Sequence, residues 1–407
     1  MPSVETYKYA LPDRPRAQRI ADRVLSLDED ALHEELQRLL LGFSGRHRDV
    51  AAVFLRRFHE VDGIEICKCQ VSHDQALLIG AHFCSEYSYE AAALFNPSIV
   101  AHPDQTGVPD GSIRFVLSLR GVGEGHISSI AFRTGICGAN GSIAINPPSP
   151  LATVLATQSL SADGAPDAGI RIICDGSHDL SEIVIFPTAP SQRDGIEDVR
   201  LVRFVAEDGA VTYYGTYTAF GGQTIRQELL STQDFRTFDL KPLRGDATNS
   251  KGMALFPRRL DGQYAMLGRE DNENILLLTS DDLYEWDGGK KAIEPRWPWE
   301  FVQIGNCGSP IEIDEGWLVI THGVGAMRNY CIGACLLDRD DPSKLLARTR
   351  NPLVRSDTNE REGYVPNVAY SCGSMVHNRT VILPYAVADS FTTFASVPLD
   401  KLLASMD

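Results

Sequence analysis

The sequence predicts an all-β fold, a five-bladed β-propeller, preceded by an N-terminal helical extension. Three observations point there. Apolar spacing changes from helical to strand-like near residue 95. From there on, short β-branched and aromatic runs alternate with Gly, Asn and Asp turns. Two stretches also end alike, STQDFRTF at 231–238 and SDDLYEW at 280–286, each a polar turn closed by an aromatic. Their spacing of about 50 residues suits one four-stranded blade.

The elements follow in order. Within 14–60, Leu25, Leu32, Leu36 and Leu39 recur at roughly helical spacing, as do Val50, Val53, Phe54 and Phe58. This predicts two or three helices joined near Gly42 to Gly45, with Asp28 and Asp30 suited to a helix N-terminus. Ser72 is a plausible N-cap for another helix over about 74–93. The strand-like runs then group into five units, near 95–140, 196–240, 251–288, 300–345 and 364–400. The segment 147–193 reads as an elaborated connection between blades. The expected division is a helical segment over 1–75 and a catalytic propeller over 76–407.

With 43% hydrophobic and 23% charged residues, the 407-residue chain has an ordinary globular composition, which excludes disorder of the whole. The net charge of −16 repels polyanions, so neither nucleic acid nor an anionic membrane surface is an expected partner. No apolar run reaches the ~18 residues of a membrane span, and the first residues lack the basic and apolar regions of a signal peptide. Nine cysteines, an odd number, stand mostly in apolar surroundings such as those of Cys174, Cys331 and Cys335. They read as buried thiols of a reducing, cytoplasmic compartment. Cys67 and Cys69 form a tight pair without a second pair at zinc spacing, so no metal is expected. No dinucleotide, P-loop, nucleophile-elbow or HExxH motif occurs, and no cofactor is expected.

The starts of a propeller's inner strands converge on an axial funnel. Five polar clusters fall there: Asn96 to Ser98 with Arg120 and Gly123 to His126; Glu197-Asp198-Val199-Arg200; Arg269 to Asn274; Thr321 to Gly325; and Val387 to Ser390. Strand alternation puts Arg200 on the face of Asp198, where it could orient that carboxylate and hold it ionised. Four of the five have a plainer reading: a turn for Arg269 to Asn274, a structural histidine for His322, a capping or turn acid for Asp389, a surface ion pair with Arg200 for Glu197-Asp198. Several carboxylates meeting in one pocket favour sugar chemistry.

At these residues the chain resembles glycoside hydrolase family 130, the β-mannoside phosphorylases and hydrolases. The likeness rests on FNPSIV at 95–100, LSLRGVGEGHISSIAFRTG at 117–135, GIEDVR at 195–200, the run 251–275, THGVG at 321–325, and GYVPNVAYSCG and PYAVADS within 363–390. It implies a five-bladed propeller, a β-mannoside oligosaccharide substrate and inversion at the anomeric carbon. Asp198 matches the family's general acid, with Val199 where the motif has Pro. Asn96, Ser98, Arg120 and Asp389 match positions that hold the sugar, and Glu197 stands beside the acid. Lys251, Arg269 and His322 lie in regions resembling the phosphate site of the phosphorylases. Gln303, however, stands where phosphorylases commonly carry a basic residue, and the stretches Arg269-x-Asp271-x-Glu273-Asn274 and Asn306-Cys307-Gly308-Ser309-Pro310 look more like the hydrolytic branch.

The expectation is therefore an inverting hydrolase of short β-mannosides, β-1,2 linkages among the candidates. Glu273 is the first candidate for the base that activates water, Glu362 the reserve, and Arg269, Asp271 and His322 are substrate ligands. The alternative is a phosphorylase using inorganic phosphate as co-substrate and releasing mannose 1-phosphate. A third reading, a sugar-binding propeller without catalysis, is suggested by Val199. The N-terminal helices are a candidate lid or subunit interface of a homo-oligomer.

Overall fold

The structure, a computed structural model, describes residues 15–62, 64, 71–153, 155–161, 168–222, 224–356 and 363–407. Cys67, Cys69 and Glu362 lie outside the described residues. The chain forms two compact units, 1–87 and 88–407, so residue 75 falls within the first. Among the described residues, no helix is long and apolar enough to cross a membrane.

The first unit holds the helices Arg16–Leu25, Glu29–Phe43, Val50–Glu60 and His73–Ala81. Their starts follow from side-chain caps: Asp28 accepts from the Ala31 N–H and Asp49 from the Ala52 N–H, both at 2.8 Å, while Ser72 and Gln75 form a capping box. Ala21, Val24, Leu32, Phe58, Leu78 and Ile79 make the core. At Gly80 a Cβ would come within 1.9 Å of the Phe54 carbonyl oxygen, so only glycine lets the last two helices approach so closely. The last helix stops at Ala81 rather than near residue 93. The Phe83 and Cys84 N–H groups turn back to the Gly80 and Ala81 carbonyls, and the polar run that follows offers no apolar stripe to continue it.

The second unit has five antiparallel sheets in sequence order. The blades begin with the inner strands Ala93–Ala101, Gly195–Val205, Ala254–Leu255, Gln303–Asn306 and Ala369–Tyr370. In the last two, the inner strand is broken: Ile311–Ile313 and Met375–His377 resume pairing on the same second strand. Because alternate residues of a strand face opposite sides, each blade buries one apolar face on each neighbour. The result is five cores: around Phe132 and Tyr217 between blades one and two, Met253 and Trp286 between two and three, Phe256 and Trp317 between three and four, Leu318 and Leu383 between four and five, and Phe115 and Ile382 between five and one. The two alike endings are one device. In each, an aspartate (Asp234, Asp282) accepts from the backbone of its own turn and an aromatic (Phe238, Trp286) plugs an interblade core, fully buried. The ring closes where the Leu94 N–H donates to the Ser390 carbonyl (3.1 Å) and the Cys372 N–H to that of Pro97 (2.8 Å). The segment 147–193 is more than a connection. Its strands Ala156–Ser159 and Ile170–Ile173 extend the outer edge of the second blade, and Val184–Ile185 pairs with the first.

Candidate active site

Antiparallel pairing brings the start of each inner strand and the connection between the second and third strands to the same end of the blade. The inner strands are irregular at that end. Ala93–Ala101 shifts register between Phe95 and Ser98, and Gly195–Val205 between Glu197 and Arg200. Asn96 and Asp198 sit inside these bulges with left-handed backbones, φ 49° and 62°. A bulge re-aims a side chain, and here the two side chains meet: Asn96 Nδ2 donates to Asp198 Oδ1 at 2.7 Å.

Glu197, buried beside them, is held by Arg120 Nη1 at 2.5 Å and Lys251 Nζ at 2.7 Å. Burial, and after it the neighbouring Asp198, pushes its carboxyl upward against those two cations. Asp389 follows the strand Thr380–Val387 in a left-handed conformation, φ 51°. Burial first, then Asp198 and Glu197, raises its carboxyl to about 6, with Arg120 and Arg328 opposing. Three carboxylates from two blades thus feel one another around one small volume.

Cations gather on the other side of Asp198. Arg200 departs from simple strand alternation because of the bulge. Its Nη1 donates to the Asp198 backbone carbonyl (3.0 Å), not the carboxylate, its Nη2 to the Tyr370 hydroxyl (2.7 Å), and its Nε to Asn306 Oδ1 (3.1 Å). Asn306 is fixed in turn by donating to the Gly252 carbonyl at 2.6 Å. Arg269 Nη1 lies 3.1 Å from His322 Nε2, while His322 Nδ1 lies 3.2 Å from the Asn306 carbonyl. Those partners dictate a neutral imidazole protonated on Nδ1, with Nε2 accepting from Arg269. Burial, reinforced by Arg269 and Arg200, pushes the His322 pKa well below the usual range, consistent with that state. Burial, then the like charge of Arg200, also pushes down Arg269.

The Gln303 amide carries its oxygen to Arg269 Nη1 and its nitrogen to the Asn272 carbonyl (3.3 Å), the orientation that satisfies both. Gln303 therefore steadies Arg269 without neutralising it. Among the described residues Arg269 has no ion pair, and its Nε is buried without a partner, as are Asn96 Oδ1 and Arg120 Nε. Buried polar atoms left open in one funnel are what a polar ligand would satisfy.

Other expected residues stand apart. Ser98 is fully buried and its Oγ accepts from the Leu201 N–H (3.0 Å), tying the first two inner strands together. Asp271 accepts from the Glu273 and Asn274 backbones and the Asn274 amide, all within its own loop. Glu273 is exposed, and its charge acts on Lys291 of the outer strand Lys290–Ile293. Lys251 stands on Glu197 rather than with Arg269 and His322. Sequence reasoning named Arg200 only as a partner for the Asp198 carboxylate, read Asn306 only as part of a hydrolase-like stretch, and gave Tyr370, which lies in GYVPNVAYSCG, no role. Two cavities of about 600 and 780 Å³ open elsewhere, near His102 and Gln233, and hold none of these groups.

A five-bladed propeller with acids and guanidinium groups converging in its funnel has the form of a carbohydrate-active enzyme. The chain belongs to glycoside hydrolase family 130, whose sequence model, described as a β-1,4-mannooligosaccharide phosphorylase, matches residues 161–407. It is 36% identical over 201 residues to a 1,2-β-oligomannan phosphorylase of Thermoanaerobacter sp. (strain X514), spanning 48% of this chain and 66% of the relative. It is 33% identical over 231 residues to a β-1,2-mannobiose phosphorylase of the same organism, spanning 54% and 72%. The structure of a β-1,2-mannobiose phosphorylase from Listeria innocua superposes with a TM-score of 0.54 at 22% identity, covering 77% of this chain and 92% of the other, a likeness of fold. Another structure, 19% identical with a TM-score of 0.53 over 77% and 86%, comes from work reporting that the family contains hydrolases of β-1,2 mannosidic linkages in Candida mannan; at that identity it too shares the fold alone. The named relatives matched by sequence are phosphorylases, which overturns the expectation of a hydrolase. That expectation rested on Gln303, on the loop acids Asp271 and Glu273, and on the Asn306 to Pro310 stretch. Gln303 is a neutral acceptor for Arg269, the two acids are engaged away from the cluster, and Asn306 holds Arg200.

Proposed function

We propose that the chain is a phosphorylase that cleaves β-mannosidic bonds with inorganic phosphate and releases mannose 1-phosphate. One observation carries the reading: the half-buried Arg269 lies close enough to the buried Arg200 to be perturbed by its charge, its Nε is buried without a partner, and it has no carboxylate partner among the described residues. Burying an unpaired cation is costly, and a dianion between such groups would offset that cost. A water-activating carboxylate there would instead neutralise Arg269 and repel phosphate. The names of the sequence relatives support the same reaction.

In this reading the mannose ring lies over Asn96, Arg120 and Asp389, whose open donors and acceptors suit its hydroxyls. Asp198 is the proton donor, steadied by Asn96. A phosphate oxygen, held by Arg269 with Arg200 behind it, forms a bond to the anomeric carbon as the bond to the leaving oxygen breaks. That oxygen takes its proton from Asp198, directly or through a sugar hydroxyl. The proton that HPO4 2− sheds on forming its ester restores the acid. Attack opposite the leaving group inverts the centre, so a β-mannoside yields an α-phosphate.

The test is incubation with β-1,2- and β-1,4-mannobiose, with and without phosphate, reading mannose and mannose 1-phosphate separately. Phosphate-dependent formation of the sugar phosphate is the expected result. Free mannose at the same rate without phosphate sinks the proposal.

A further inference from the structure

At the mouth of the funnel, Tyr364 is 71% exposed despite being a large aromatic. Its ring stacks on His126, with centroids 5.9 Å apart and planes 27° from parallel. His126 belongs to the connection that follows Ile113–Val122, the strand carrying Arg120, and holds a left-handed backbone at φ 59°. Tyr364 is anchored beside the acids: the Val365 N–H donates to the Ala388 carbonyl (3.1 Å), and Ala388 precedes Asp389. Gly363, on the other side, lies so close that a Cβ would come within 2.5 Å of Ala388. A single exposed aromatic on a loop needs no explanation. This one is fixed on both sides to the residue before Asp389, and a second ring, from the first blade, holds it nearly parallel. That second ring sits on strained backbone, of the kind that persists where the surroundings demand it.

We propose that Tyr364, backed by His126, is a stacking platform for the saccharide units that lie past the first sugar beyond the bond that is cut. The inference rests on the reading of the funnel as a mannoside site. With the terminal mannose seated on the buried acids, the rest of an oligosaccharide leaves through the open mouth, past Tyr364. A pyranose presents a C–H face to an aromatic ring and hydroxyls to water, which matches a half-open tyrosine with an apolar face and a polar tip. A net charge of −16 on the chain favours such a neutral partner over an anionic one.

The test compares wild type, Tyr364→Ala, Tyr364→Phe and His126→Ala on β-mannobiose, -triose and -tetraose in phosphate. A stacking contact of this kind predicts that Tyr364→Ala raises the ratio of the tetraose KM to the biose KM roughly 3- to 10-fold. Tyr364→Phe keeps the ring and holds the ratio within about twofold of wild type; His126→Ala falls between. Titration calorimetry of mannobiose and mannotetraose without phosphate reads the same ratio as binding, so a wild type that fails to use phosphate leaves the platform testable while the phosphorylase reading falls. Equal effects at every chain length, or none at any, overturn the platform.

Discussion

Replacing Arg269 by methionine tests the phosphate site directly. The wild-type side chain has its Nη1 engaged by His322 and Gln303, while Nε and Nη2 make no hydrogen bond among the described residues, and Nε is buried. The Nε–Nη2 edge is the fork that holds a phosphate in two parallel bonds. Charge-assisted hydrogen bonds contribute about 1.5–3 kcal/mol each, so losing two removes about 3–6 kcal/mol, or roughly 10²- to 10⁴-fold in kcat/KM for phosphate. A second readout separates this from damage to the fold. Arg269→Met relieves a cation that burial and Arg200 disfavour but strips His322 Nε2 and Gln303 of their donor, so without added phosphate the variant still unfolds in one cooperative transition close to that of wild type. Phosphate at 100 times its Kd stabilises the wild type by about 2.7 kcal/mol through mass action, and the variant loses that shift. The assays are initial rates of mannose 1-phosphate release against phosphate concentration, and thermal denaturation with and without phosphate. A variant whose kcat/KM for phosphate stays within tenfold of wild type, with the thermal shift intact, refutes the assignment.

Three further outcomes follow from single side chains. Asp198→Asn keeps a polar side chain beside Asn96 but removes the proton, so kcat/KM for mannobiose falls roughly 10²- to 10⁴-fold; aryl β-mannosides, whose leaving oxygen needs little protonation, lose much less in the same assay. Asp389, raised from 3.8 to about 6, binds its proton more tightly folded than unfolded. Its contribution is thus favourable at low pH and is lost as pH rises between those values, by up to about 3 kcal/mol; Asp389→Asn should be more stable than wild type at pH 7 and little different at pH 3.5, by urea denaturation. Arg348 Nη2 donates to both carboxylate oxygens of Glu300, each at 2.7 Å, and the two side chains are 4% and 0% exposed. Glu300→Gln leaves Arg348 buried without a counter-charge and costs about 3–5 kcal/mol, and Glu300→Gln with Arg348→Met recovers part of that loss in the same denaturation experiment.

The blades were legible because each strand has an apolar face to lay on each neighbour, and that leaves a period of two in the sequence. The repeated turn-plus-aromatic ending was legible because both copies keep the same capping aspartate. The site was harder to read. Period-two reasoning put Arg200 and Asp198 on one face, whereas the bulge between Glu197 and Arg200 breaks that period and sends the guanidinium to Tyr370, 170 residues further along. Bulges leave no mark in composition. Loop acids are equally ambiguous, since Asp271, which serves its own turn, reads in sequence like Asp389, which faces the funnel. Gln303 misled for another reason. A neutral residue where a basic one is common looked like a lost phosphate ligand, yet beside an unpaired arginine a neutral acceptor preserves the positive charge that an acid would cancel.

The irregular inner strands and the chemistry have one physical cause. A regular strand sends alternate side chains into the two interblade cores and offers little to the axis. Turning a side chain toward the axis requires a bulge, a break or a left-handed residue. Asn96 and Asp198 take the first route, and the inner strands of the fourth and fifth blades take the second, with Asn306 at one break. Left-handed non-glycine residues also gather at this end: Asn96, His126, Asp198, Asn272, Met327, Arg328, Asn367, Ala388 and Asp389. Each costs of order 1 kcal/mol or more, and such a concentration persists because the five interblade cores fix the backbone independently of it. Relieving the strain therefore has a direction: glycine at 198 or 389 would ease the backbone while removing the carboxylate, so the conformation and the chemistry cannot be improved separately at those positions.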